Sequence, residues 1–319
     1  MNKNYIYNSQ GYNINMSHMF YNCKAIRSIY IGGNSNYRSY SNDLHKMFYN
    51  CNSLTSVQLR YFDVNNVRDM SYMFYNCKQL QNFNGYNNFY SNNCNLKERT
   101  MRGMFQNCEA ITSLDIHFLY TQHVEIMWDM FKNCKGLRYL YLNNFDTTEV
   151  TDMESMFEGC STITSLYLQN FDTPKVQYMN KMFKDCYNLR IVNLKNIKSD
   201  SLGTMNQMFY NCRSLTSLNI YSLTEKDQSI SEIFEGASNR IKFCVKEHEN
   251  IPKIFDLLYS MSGSSRDCSS DCYNPNGRAI ISEKKICCPY YKYGNTCIDK
   301  CPGRYNSNEN KECIGFYCS

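Results

Sequence analysis

Residues 127–152 read MWDMFKNCKGLRYLYLNNFDTTEVTD, and this stretch decides the fold. Met127, Met130, Phe131, Cys134 and Leu137 are spaced three, one, three and three, which fits one apolar face of an α-helix. Leu140 and Leu142 then alternate with their neighbours, the period of a strand. Phe145-Asp146-Thr147 marks a turn, and Val150 re-enters the core. Thr151-Asp152-Met153-Glu154 offers a capping box to a following helix. The unit therefore predicts a helical turn or two, a short strand and a polar turn.

The same unit recurs along the chain. Met-Phe pairs open at Met19, Met47, Met73, Met104, Met130, Met156, Met182 and Met208, each followed three residues after its Phe by a cysteine. From Cys108 through Cys134, Cys160 and Cys186 to Cys212 every step is 26 residues. A degenerate copy follows at Ile233-Phe234, with Ala237 in the cysteine position. Such a period means a solenoid: one unit cannot bury its apolar face alone, whereas stacked units bury each other's. The fold class is α/β, a leucine-rich-repeat solenoid of about nine repeats followed by a small disulfide-rich region.

The motif L-x-x-L-x-L stands at Leu137-x-x-Leu140-x-Leu142 and as Ile163-x-x-Leu166-x-Leu168, with Leu215-x-x-Leu218-x-Ile220 further on. Together with M-x-x-M-F-x-x-C and F-D-T-x-x-V (Phe145 to Val150, Phe171 to Val176), it closely resembles the repeats of BspA-like, DUF285-type surface proteins. The resemblance covers roughly residues 16 to 240 and implies surface recognition by a solenoid.

Eight cysteines at equivalent positions, Cys23, Cys51, Cys77, Cys108, Cys134, Cys160, Cys186 and Cys212, invite disulfide, metal and core readings. Neighbouring rungs lie at least about 4.8 Å apart with parallel Cβ vectors, so they do not aim at one another. A linear ladder also fails to converge on tetrahedral zinc. The eight are expected to be buried free thiols, packed as small apolar groups.

After Ala237 the pattern changes. Ile241 to Val245 reads as a last strand, and Ile251, Ile254, Phe255 and Leu258 mark an amphipathic helix. Cys244 and Cys268 bracket it, and their pairing is the preferred disulfide. Cys272, Cys287, Cys288, Cys297, Cys301, Cys313 and Cys318 follow in a stretch too poor in apolar residues for a core, so disulfides of open connectivity are expected. Cys297-Ile298-Asp299-Lys300-Cys301-Pro302-Gly303-Arg304-Tyr305 resembles the C-x-x-x-C-P-x-x-Y stretch of furin-like and growth-factor-receptor cysteine-rich repeats. A four-thiolate zinc site from Cys268, Cys272, Cys297 and Cys301 is the rival, looser in spacing and leaving other cysteines over. The expected division is a lead-in at 1–15, a solenoid at 16–240, a cap at 241–268 and a cysteine-rich region at 269–319.

In a leucine-rich repeat the residue between the two strand leucines faces outward from a parallel sheet on the concave side. That column reads Tyr30, Gln58, Asn84, Asp115, Tyr141, Tyr167, Asn193 and Asn219. The next adds Gln169, Lys195 and Tyr221, besides His117 and Asn143, and Tyr139 flanks it on the other side. Tyrosine with asparagine suits recognition of a protein or glycan, although tyrosine is also a good strand former.

The net charge of +5 is mild and the Lys and Arg residues look scattered, which argues against nucleic acid as a partner. The five histidines show no paired metal spacing, and no nucleophile elbow or phosphate loop appears. No enzyme and no cofactor are expected. No apolar stretch reads as a leader or a membrane span, and the last cysteine stands one residue from the end. The expectation is a piece of a longer extracellular or cell-surface protein that acts as a binding or adhesion module. The alternative is an intracellular scaffold with a zinc-binding tail.

Overall fold

The computed structural model describes residues 4–7, 15–32, 39–60, 62–63, 67–86, 99–116, 119, 121–142, 144–198, 200–226, 228–245, 251–261, 263–266, 291–293, 296–298, 305–307 and 313–315. Each repeat contributes one short strand to a parallel ladder. Asn4–Tyr7 pairs with Ser28–Gly32, which pairs with Ser56–Arg60 and then Asn82–Tyr86. Ser113–Asp115 pairs with Tyr139–Tyr141. Ser165–Tyr167, Ile191–Asn193, Ser217–Asn219, Lys242–Cys244 and Ser265–Arg266 follow as a five-stranded sheet. Registers match repeat for repeat, so Leu166, Val192, Leu218 and Phe243 fall in one buried row.

The M-x-x-M-F-x-x-C segments do not form the helices expected of them. Among the described residues the one α-helix is Pro252–Ser260, outside the repeats. In repeat Met127–Cys134, N–H groups of Met130, Lys132 and Cys134 donate to the carbonyls of Met127, Asp129 and Phe131 at 3.2, 3.0 and 3.0 Å. Asp129 and Asn133 sit third in two of these turns, with φ of 55° and 57°, which is type II geometry. Alternate N–H groups, those of Met127, Asp129, Phe131 and Asn133, donate instead to Asp152, Glu154, Met156 and Glu158 of the next repeat, at 2.7–2.9 Å. The donors an α-helix would use internally are satisfied by the neighbouring coil. An eight-residue helix would have little stability of its own, and apolar spacing of three and four serves successive turns as well as it serves a helix.

The expected capping box at Thr151 to Glu154 likewise belongs to a turn. Asp152 Oδ1 accepts from the Glu154 N–H at 2.8 Å, but no helix follows.

The left-handed third position of each turn that ends at a ladder cysteine explains the Asn-Cys pairs. Asn22, Asn50, Asn76, Asn107, Asn133 and Asn211 all have φ between 57° and 62°, a region that Asn tolerates better than other L-residues. Their side chains also bond along the stack: Asn76 Nδ2 donates to Asn50 Oδ1 and Asn133 Nδ2 to Asn107 Oδ1, both at 3.0 Å. Asn211 Nδ2 donates to Asp185 Oδ1 at 2.8 Å.

Inside the coil the Met-Phe phenylalanines stack face to face. From Phe20 through Phe48, Phe74, Phe105, Phe131, Phe157, Phe183 and Phe209 to Phe234, ring centroids are 5.2–5.9 Å apart with planes within 11°. The F-D-T turns close the coil with buried threonines. Thr121, Thr147 and Thr173 hydroxyls donate to the carbonyls of Asp146, Asp172 and Lys198 in the next repeat at 2.8–2.9 Å.

The far end is sealed by the Pro252–Ser260 helix. Ile254 and Leu258 are buried, and Phe255 packs edge-on to Phe243 with centroids 5.6 Å apart. Glu225 accepts from the Ile254 N–H at 3.1 Å and so supplies the cap that Ile251 lacks. In the tail, Tyr291–Tyr293 pairs antiparallel with Thr296–Ile298, and Tyr305–Ser307 with Cys313–Gly315. Cys268, Cys272, Cys287, Cys288, Cys301 and Cys318 lie outside the described residues, as do the zinc and disulfide arrangements expected of them.

Candidate functional site

The strand ladder brings most of the expected ligand-facing residues into single file. Tyr30, Gln58 and Asn84 are in register, as are Asp115 with Tyr141, and Tyr167 with Asn193 and Asn219. Their flanking apolar partners Ile29, Val57, Phe83, Leu114, Leu166, Val192 and Leu218 are buried, and Leu140 is half-buried. The file is not uniform. Tyr139, Tyr141 and Tyr167 are 62%, 49% and 47% exposed, and Gln169 and Asp115 are exposed beside them. Tyr30, Gln58, Asn193, Asn219 and Tyr221 are half-buried.

Two of the asparagines hold the backbone. Asn193 Oδ1 accepts from the Lys195 N–H and Asn219 Oδ1 from the Tyr221 N–H, both at 3.1 Å. The Tyr221 ring in turn carries the Lys195 ammonium 5.8 Å from its centroid. The apolar area available for recognition is thus concentrated in three tyrosines of adjacent repeats. His117 and Asn143, also expected in this face, lie outside the described residues.

The ladder is interrupted beside these tyrosines. Tyr139–Tyr141 pairs only backward, with Ser113–Asp115, and Ser165–Tyr167 only forward, with Ile191–Asn193. At the break lies an open groove of about 410 Å³, lined by Arg138, Tyr139, Thr162, Thr164, Asn188 and Arg190. Thr162 is engaged, its hydroxyl donating to the Lys135 and Leu137 carbonyls at 2.7 and 2.8 Å. Arg138, Tyr139, Thr164 and Arg190 are exposed. Among the described residues no carboxylate pairs with either guanidinium.

Seven of the 34 basic residues that look scattered along the chain recur in one segment of the repeat. Lys24, Arg27, Lys78, Lys135, Arg138, Arg190 and Arg213 all occupy the short segment between ladder cysteine and strand. Glu109 answers Lys78 and Lys135 at 3.6 and 3.5 Å. On the F-D-T side the charges answer each other from repeat to repeat, Glu149 with Lys175 at 2.6 Å, Asp172 with Lys198 at 2.9 Å and Asp200 with Lys226 at 3.6 Å. The sequence signal for Arg138 and Arg190 was their identical repeat position two units apart. It becomes visible only when the chain is written in register.

The cysteine ladder has a role beyond filling space. Each inner thiol donates to the Phe carbonyl of the preceding repeat: Cys51 to Phe20, Cys77 to Phe48, Cys108 to Phe74, Cys134 to Phe105, Cys160 to Phe131, Cys186 to Phe157 and Cys212 to Phe183, at 3.0–3.2 Å. These seven are free and buried. Cys23, expected to be buried with them, is only partly so, since its layer is the first and the neighbouring Phe20 is itself part-exposed. Cys244 is disulfide-bonded.

Burial pushes all seven inner thiols up, Cys51 and Cys160 to about 12. Thiols so shifted hold almost no thiolate at neutral pH and are chemically inert. Alkylation of the folded protein at pH 7 is expected to modify Cys23 and none of the other ladder thiols, with all eight reacting in denaturant. Peptide mass mapping reads the result, and native labelling of Cys134 or Cys160 would contradict the packing.

Among the described residues no three His, Cys, Asp or Glu side chains are placed to hold a metal ion. No described helix is long and apolar enough to cross a membrane. A stacked coil with an exposed aromatic strand face is the leucine-rich-repeat class, an architecture that generally serves as a binding module. Residues 10–98, 99–221 and 138–244 match the family described as Mycoplasma protein of unknown function, DUF285, and the chain belongs to that family.

Solved structures similar to the chain are also leucine-rich-repeat proteins. One from T. pallidum is 15% identical, covering 74% of this chain and 83% of its own, with a TM-score of 0.34. One from Bacteroides ovatus ATCC 8483 is 16% identical over 77% of this chain and 70% of its own, with a TM-score of 0.35. A leucine-rich cell surface protein from Faecalibacterium prausnitzii A2-165 is 16% identical over 63% and 74%, with a TM-score of 0.23. No curated protein matches the chain.

Proposed function

We propose that this chain is a non-enzymatic binding module of an extracellular or cell-surface protein, engaging a protein or glycan through the outward face of its strand ladder and serving adhesion. The observation that carries the reading is the cluster of Tyr139, Tyr141 and Tyr167, 62%, 49% and 47% exposed on consecutive rigid strands. Tyrosine supplies large contact area at low cost in side-chain entropy. Each of these strands is hydrogen-bonded to a neighbour on one side, which lowers the cost of ordering the surface on binding.

In this reading residues 16–240 form the recognition solenoid and 241–268 its cap. Residues 1–15 lead in, and 269–319 form a disulfide-held stalk. The disulfide at Cys244 supports an oxidising compartment and disfavours the intracellular scaffold with a zinc-binding tail.

The test is binding of the intact protein to immobilised matrix proteins and glycans. Tyr141→Ala with Tyr167→Ala is expected to weaken binding at least tenfold, about 1.4 kcal/mol. Tyr178→Ala, an exposed tyrosine bridged to Asp152 and Thr204 outside the strand ladder, is expected to leave it unchanged. Equal affinity of the double variant and the wild type would remove the strand face from the function.

A further inference from the structure

We propose that the groove at the break in the strand ladder binds an acidic polysaccharide, with Arg138 and Arg190 gripping carboxylate groups and Tyr139 stacking on a sugar beside Arg138. This rests on the binding-module reading and names its ligand class. The two guanidiniums are exposed, line one groove and meet no carboxylate among the described residues. A guanidinium fork matches carboxylate oxygens two at a time, which an ammonium does not.

Spacing favours a sparsely charged chain. Arg138 and Arg190 hold the same position two repeats apart, and a strand spacing of about 4.8 Å places their backbones about 10 Å apart or more. That is the scale of one disaccharide in an extended polysaccharide, with one anionic group in each. Thr164, in the equivalent position of the repeat between them, offers a neutral hydroxyl where a sugar hydroxyl would fall. Asn188 commits its amide N–H₂ to the Ser161 carbonyl at 2.7 Å and leaves its oxygen to accept.

Tyr139, the most exposed of the three tyrosines at 62%, gives the flat apolar face that sugar C–H groups pack against. A single-stranded nucleic acid would call for closer cations along its backbone and an aromatic platform for each successive base. The described cations on the F-D-T side, Lys175, Lys198 and Lys226, are paired with carboxylates, whereas among the described residues Arg138 and Arg190 at this edge are not.

The experiment measures affinity of the intact protein for a polysaccharide that carries one uronate per disaccharide, at about 0.15 M salt, where the Debye length is about 8 Å. Its carboxyl-reduced counterpart and single-stranded DNA of equal length serve as comparison probes. Arg138→Gln with Arg190→Gln is expected to weaken binding at least tenfold with thermal stability unchanged, since both side chains are exposed. Lys24→Gln with Arg27→Gln removes the same net charge from the first repeat and is expected to cost less than threefold.

Equal losses in the two double variants would reduce the effect to net charge and overturn the proposal. So would absence of wild-type binding, undiminished affinity without the arginines, or tighter binding of the DNA. Polysaccharide binding that falls with the arginines but survives Tyr141→Ala with Tyr167→Ala would uphold the groove and remove the wider strand face. Loss of a protein or neutral-glycan ligand in the tyrosine variant, with no polysaccharide binding at all, would do the reverse.

Discussion

Raising the pH from 9 to 11 is expected to unfold the solenoid cooperatively at 25 °C. Burial holds the thiols of Cys51, Cys77, Cys108, Cys134, Cys160, Cys186 and Cys212 protonated far above their ordinary value near 9. The folded-state pKa is therefore raised. Its contribution to stability is fully present below the unfolded value and is lost as pH rises from there towards the folded one, a window opening near 9 and reaching to about 12 for Cys51 and Cys160. Once unfolded thiols ionise, each is worth about 1.4 kcal/mol per pH unit, so seven together remove roughly 10 kcal/mol per unit.

That exceeds the whole stability of an ordinary domain within one to two units. Far-ultraviolet circular dichroism after brief exposure reads the transition, before alkali attacks the disulfides. Replacing Cys134 and Cys160 by Ala should flatten the pH dependence by about two-sevenths. A protein unchanged at pH 11 would show that the ladder is not sealed from solvent.

Phe131→Ala is expected to cost about 3–5 kcal/mol, the range for emptying a fully buried aromatic site. Phe131 is 0% exposed and stacks between Phe105 and Phe157, with centroids 5.9 and 5.5 Å away. Each kcal/mol lowers Tm by about 2–4 °C for chains of about 150–250 residues and by somewhat less for longer ones, so a drop of roughly 6 °C or more should appear in a thermal melt. In a stack held by neighbours alone, a hole in the middle weakens the coupling of both halves. Phe20→Ala, at the part-exposed first rung with one stacking partner, should cost less than half as much. Equal costs at the two positions would mean that stability is not transmitted rung to rung.

How far the sequence could be read depended on the kind of fact. The recurrence of Met-Phe and Cys, at 26 residues in most steps, located the rungs, because the same side chains in the same order pack in the same way. The outward file of Tyr141, Tyr167, Asn193 and Asn219 followed from strand alternation. The same spacing suggested helices at Met127–Cys134, and there it misled. Two apolar contacts per turn arise equally from a helix and from linked β-turns, and only the destination of the backbone N–H groups separates them.

Amino-acid sequence alone determined that the chain stacks in register, that the cysteines belong to the core and that its class is a repeat scaffold. Those properties are carried by period and side-chain type, which are local. Tertiary structure decided what depends on the neighbouring coil: Asp129 N–H bonding Glu154, Cys160 Sγ bonding Phe131, and Arg138 and Arg190 sharing one groove across a broken ladder. Each of those pairs stands 25 to 52 residues apart, where a hydrogen bond or a shared pocket is set by how one coil settles on the next.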